Sequence, residues 1–117
     1  MKNNIKCLNK FTFFGNNING MWSKRESLIK NIHNFQIGVF NLQETKVSEK
    51  GKLRIPNYVI FELLRENKGG GSLMIGVHTN LDPVLIFEDS FLEIMVVQIK
   101  INNYMIQIIN ACGLGCH

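Results

Sequence analysis

No stretch of this 117-residue chain is long and apolar enough to cross a bilayer. Runs such as residues 94–97 and 104–106 fall far short of the roughly 20 apolar residues that a spanning helix needs. The first ten residues alternate Lys and Asn with single apolar side chains and lack the continuous apolar stretch of a secretory signal. Cysteine is scarce. Cys7 lies far from Cys112 and Cys116, and an odd count of three without a secretory signal argues against a disulfide framework. Internal repeats, linkers and low-complexity segments are also missing. The expectation is an intracellular chain, nuclear or cytoplasmic, without membrane contact.

What is present fits one globular domain. Hydrophobic residues make up 45% of the chain and charged residues 19%, which supports a real core and excludes a disordered segment. The net charge of +4 is unevenly placed. Residues 1–54 hold ten Lys or Arg against three Asp or Glu, while residues 55–117 hold three against six. A basic half can meet a polyanion through phosphate contacts, or can simply be a solvated surface.

The chain opens with an extension, residues 1–10. Residues 11–14 are then β-prone and stop at a loop of Gly and Asn, residues 15–20. Ser23 is placed to cap a helix, with Glu26 as its capping-box partner and Trp22 as the staple residue. Leu28, Ile29, Ile32 and Phe35 recur at helical spacing, and residues 36–42 form a mostly apolar strand. Strand, helix, strand implies two parallel strands ending at one edge of the sheet. That edge collects Asn17 and Asn19 from the first strand and Glu44 from the second. In open sheets such an edge tends to hold ligands.

The remainder reads as β. Residues 58–64 and 72–78 form a hairpin, residues 84–88 a short strand, and residues 93–101 and 104–109 a second hairpin about Asn102 and Asn103. The last two strands are apolar on both faces in places, which predicts cover on both sides. Met74, Met95 and Met105 read as core filler. His78, near a strand end, reads as a half-buried polar residue rather than a ligand.

Four stretches, in order, resemble the endonuclease/exonuclease/phosphatase superfamily, the deoxyribonuclease-I-like phosphodiesterases. They are "NNINGMWSKRESLIKNI", "IGVFNLQETKV", "NKGGGSLMIGV" and "IQIINACGL". The likeness is nearest to apurinic/apyrimidinic endonucleases and to the endonucleases of non-LTR retrotransposons. It runs from about residue 11 to 114, so residues 11–117 are expected to be a partial domain of this type. The implied fold is α/β, a layered β-sandwich represented by its N-terminal half.

The resemblance also implies roles. Glu44 would bind a divalent metal, Mg²⁺ or Mn²⁺, with Asn19 as a second oxygen ligand. Asn17 and Asn110 would serve the catalytic centre. Lys46, Lys50, Lys52 and Arg54 would form a rim for nucleic acid, DNA rather than RNA. The implied reaction is hydrolysis of a phosphodiester.

The departures from the family pattern point the other way. Cys112 and Leu114 replace the family's Tyr and Pro, and the last acidic residue is Glu93. The family's downstream Asp-x-Asn and Asp-His pairs have no counterpart in the sequence. The expectation is a retrotransposon-derived nuclease fragment, inactive as an isolated chain and prone to self-association through an uncovered sheet. The alternative is a non-catalytic basic remnant that binds nucleic acid.

Overall fold

The computed structural model describes residues 12–45, 53–64 and 72–111. Strand β1, Thr12–Asn17, leads through a 3-10 turn, Trp22–Lys24, into helix α1, Arg25–Asn34. Strand β2, Ile37–Gln43, follows, then β3, Tyr58–Leu64, and β4, Ser72–His78. A second 3-10 turn, Thr79–Leu81, precedes β5, Val84–Asp89. Strands β6, Ile94–Ile101, and β7, Tyr104–Ala111, close the described chain.

The strands form two sheets, ordered β1-β2-β4-β3 and β5-β6-β7. The β1–β2 pair is parallel, as a strand-helix-strand crossover dictates. All other neighbours are antiparallel. The architecture is mixed α/β in three layers: helix, first sheet, second sheet.

The central strands of the first sheet, β2 and β4, are buried on both faces and divide their side chains by alternation. Phe40, Leu42 and Met74 pack under α1 with Leu28, Ile32 and Met21. Val39, Leu73, Ile75 and Val77 face the second sheet and pack on Met95, Val97, Ile99 and Ile108. One irregularity adjusts the pattern. The register advances from Ile37 to Val39 on β2 while β1 advances from Thr12 to Phe13. The extra residue turns Ile37 toward the helix side, where it joins that core.

Several expectations need correction. The first strand does not stop at residue 14; Asn16 and Asn17 pair with Leu42 and Gln43. The ladder offered by a buried apolar strand outweighs the turn preference of Asn. Ser23 does not cap the helix. It lies within the 3-10 turn, and the N-cap position belongs to Lys24, without a side-chain cap. Phe35 stands beyond the last helical residue and is 64% exposed.

The second sheet is covered on one face only among the described residues. Strand β6 alternates, with Met95, Val97, Ile99 and Ile101 inward. Phe87, Val96 and Ile109 stand in one cross-strand row on the other face. In that row Phe87 is 49% and Ile109 60% exposed. Met105 is 61% exposed and so is not core filler, whereas Met74 and Met95 are fully buried. Among the described residues no helix is long and apolar enough to cross a membrane.

Candidate functional site at the β1–β2 edge

The parallel register sets Asn17 opposite Gln43. Beyond the strands the two loops stay together, because the first donates a row of backbone N–H groups to the second. Ile18 N donates to the Gln43 carbonyl at 3.0 Å, Gly20 N to the Glu44 carbonyl at 2.7 Å, and Met21 N to the Thr45 carbonyl at 2.8 Å. Ile18 and Met21 plug this seam from the helix-side core. Exposed Asn17 and Asn19 are thereby held against half-buried Glu44.

This path demands unusual backbone. Asn19 (φ 47°), Gly20 (φ 96°) and Glu44 (φ 55°) all have left-handed conformations. Asn and Gly accept that region readily, whereas Glu does so at a cost. A strained residue that carries the edge's carboxylate is the kind of local conflict found at functional sites.

Two anchors hold the Glu44 segment. After it, the buried hydroxyls of Thr45 and Ser72 share a hydrogen bond, and Thr45 N reaches the Ser72 carbonyl at 3.4 Å. Before it, Gln43 Nε2 donates to Asn110 Oδ1 at 3.0 Å. The Asn110 amide nitrogen in turn donates to the Leu42 carbonyl at 3.0 Å and the Met74 carbonyl at 2.9 Å. Asn110 is only 1% exposed, and both its N–H groups are spent inside the protein. Its geometry is that of a cross-brace between the sheets.

The cationic side of this edge comes from Lys24. Its ammonium donates to the Ile18 carbonyl at 2.5 Å, between Asn17 and Asn19 in sequence. Arg25 lies over the Trp22 ring, 5.8 Å from its centroid. Residues 12–26 and 37–45 contain Lys24, Arg25, Glu26 and Glu44 and nothing else charged, so the two signs balance.

Of the residues expected here, Asn17, Asn19 and Glu44 come together, and Asn110 braces them from beneath. Lys46, Lys50 and Lys52 lie outside the described residues, as do residues 1–10 and Cys112. Arg54 is exposed, between buried Leu53 and Ile55. It precedes Tyr58, which pairs with His78 at the end of β4 remote from Ser72. No hydrogen bond among the described residues ties Arg54 to the Glu44 edge. His78 is half-buried, as expected.

Sequence reasoning did not single out Gln43, Thr45, Ser72 or Lys24. A signal existed for the first two: polar residues flank Glu44 where an apolar strand ends. Ser72 and Lys24 carry no such mark, because their roles depend on partners brought in by the fold.

A hard divalent ion needs oxygen ligands and tolerates several waters. Glu44 and the amide oxygens of Asn19 and Asn17 are the right donor type. Among the described residues, however, no group of three His, Cys, Asp or Glu side chains comes together. One carboxylate with neutral amides beside it fits an ion shared with a bound phosphate rather than one held by the protein alone.

No protein-family model and no curated protein matches this chain. Solved structures do. The endonuclease domain of TRAS1, a telomere-specific non-LTR retrotransposon, superposes with a TM-score of 0.66 at 18% identity, over 88% of this chain and 46% of that one. The AP endonuclease LMAP of Leishmania major gives 0.67 at 14% identity, over 90% and 42%. TDP2 of D. rerio, solved with a single-strand DNA product, gives 0.60 at 12% identity, over 90% and 48%. At these identities the likeness is one of fold. The chain spans a little under half the length of these proteins.

Proposed function

We propose that this chain carries the phosphate-binding half of a metal-dependent nucleic-acid phosphodiesterase, of the endonuclease type, retrotransposon-derived and acting on DNA. The observation that carries the reading is the seam between the β1 and β2 ends. It holds Asn17 and Asn19 against Glu44 at one sheet edge, with a cation beside them. The likeness of fold to two endonucleases and to a DNA-product complex supports it.

In this reading the neutral amides of Asn17 and Asn19 orient a phosphodiester without repelling it. The Glu44 carboxylate, with the Asn19 amide oxygen, would hold Mg²⁺ or Mn²⁺ alongside the phosphate. Such an ion supplies charge stabilisation at the phosphoryl oxygens. Asn110 positions Gln43 and the end of β2 and makes no contact with the substrate.

Hydrolysis also requires a group that aligns the attacking water. Glu44 is the sole carboxylate in residues 12–25 and 37–45, and it is committed to the ion. We therefore read the isolated chain as a binder that does not cleave. Plasmid nicking and mobility shift with duplex DNA, in Mg²⁺ or Mn²⁺, test this together. The expected result is a shift without nicking. Robust nicking that disappears in Glu44→Ala would replace this reading with that of a complete enzyme. Absence of any shift would remove the nucleic-acid reading.

A further inference from the structure

We propose that Lys24 is a phosphate-contacting residue of this edge, a fixed cation that binds a DNA backbone oxygen independently of any metal. The inference rests on the nucleic-acid reading above and adds to it a residue to which the family resemblance gave no role.

Three observations carry it. First, Lys24 is exposed, yet its ammonium is tied to one position. Its ammonium donates to the Ile18 carbonyl at 2.5 Å, and holding a lysine side chain in one geometry costs rotamer entropy. Second, the anchor is a neutral carbonyl, and no carboxylate among the described residues pairs with the ammonium. An ammonium has three donors, so two remain available after the bond to Ile18. Third, the anchor point is the residue between Asn17 and Asn19. The cation is therefore bonded to the loop that pairs with the Glu44 segment.

A cation with no carboxylate partner among the described residues, bonded to the loop that carries Asn17, selects an anion before it selects a metal. Lys acts at phosphates as a point charge. The exposed Asn17 amide adds a donor that costs no charge. Arg25 differs, since its guanidinium lies over the Trp22 ring.

A purely structural clamp would also use the Ile18 bond, so the test must read charge rather than folding. Titration of a fluorescent duplex oligonucleotide in EDTA, across a series of salt concentrations, does so. Each phosphate contact contributes about −0.9 to the slope of log K against log salt on duplex DNA. Lys24→Gln should weaken binding several-fold at low salt and make the slope shallower by about one. Lys24→Arg, which keeps the charge, should restore the slope. Lys100→Gln, on the outer face of the second sheet, should leave it unchanged. Wild-type binding with an unaltered slope in Lys24→Gln would overturn the assignment while leaving the nucleic-acid reading in place. Absence of wild-type binding in EDTA alone would overturn the assignment, and absence in Mg²⁺ or Mn²⁺ as well would overturn both.

Discussion

The side-chain nitrogen of Asn110 donates to the Leu42 carbonyl oxygen at 3.0 Å, across the gap between the two sheets. One amide on β7 thereby sets the height of the residue that precedes Gln43 and Glu44. The same amide reaches Met74 on β4 and accepts from Gln43. An apolar replacement would strip partners from three buried or half-buried polar groups. Leaving buried polar groups unpaired costs about 1–3 kcal/mol each, reduced where water or relaxation repairs part of the loss. Asn110→Leu should destabilise the chain by about 3 kcal/mol, read as a lower urea midpoint with the slope unchanged.

Glu44 carries a conflict between stability and role. Its φ of 55° costs an L-residue about 1–2 kcal/mol, and glycine avoids that cost while losing more chain entropy on folding. Glu44→Gly should leave the chain as stable as wild type or more stable by about 1 kcal/mol, whereas Glu44→Ala keeps the strain. Thermal unfolding of the two variants checks the order. Both should lose whatever Mg²⁺ or Mn²⁺ dependence DNA binding shows. An equal melting temperature for Gly and Ala would mean that the backbone relaxes and stores no strain.

The Phe40 ring covers Gly76 across the β2–β4 pair. A methyl group at Gly76 would sit 2.0 Å from Phe40 Cζ, well inside contact distance. The ring is fully buried and has no free space to retreat into. Gly76→Ala should cost about 3 kcal/mol, the upper part of the usual range for overpacking. Adding Phe40→Leu should recover part of that loss, since the two residues share one space and their effects are not additive.

Much of this fold is legible in the sequence, for physical reasons. Tyr58–Leu64 and Ser72–His78 are apolar and β-branched runs bounded by turn residues, so local preference and tertiary pairing agree. The parallel β1–β2 pair follows from strand-helix-strand order, and with it the meeting of Asn17 and Glu44. The misreadings lie where a long-range contact outweighs a local one. Ser23 has the right neighbours for a cap, but Met21 is drawn to Thr45 by a backbone hydrogen bond and the helix begins later. Asn110 carries no periodic signal of burial, because its partners lie 36 and 68 residues away. The outer face of the second sheet mixes Ile94, Val96, Met105 and Ile109 with Gln98, Lys100 and Gln107, so alternation separates the two faces at one end of the sheet only.

That outer face bears on solution behaviour. Exposed Phe87 and Ile109 flank half-buried Val96 in a row across three strands, and apolar patches of this kind favour association. We propose weak self-association of the isolated chain through it. Sedimentation should show a concentration-dependent mass, reduced in Ile109→Lys without loss of folding. A concentration-independent monomer for wild type would count against the proposal.

The acid side of the stability profile should depend on His78. Burial lowers its pKa below the usual value of 6.5, and its ring stands edge-on to Tyr58 with centroids 5.1 Å apart. Its Nδ1 also accepts the Asn80 N–H at 3.1 Å, capping the 3-10 turn, and only the unprotonated nitrogen can do so. The folded state thus binds a proton less readily than the unfolded chain. Above pH about 6.5 both states hold the neutral ring and the group contributes no pH dependence. As pH falls below that value the unfolded chain protonates first, and stability is lost until the folded-state pKa is passed. His78→Asn supplies a side-chain oxygen for the same cap but does not titrate. Urea midpoints measured from pH 7.5 down to about pH 5, above the usual carboxylate range, should fall for wild type and stay nearly level for His78→Asn. Parallel profiles for the two proteins would show that another group governs the acid limb.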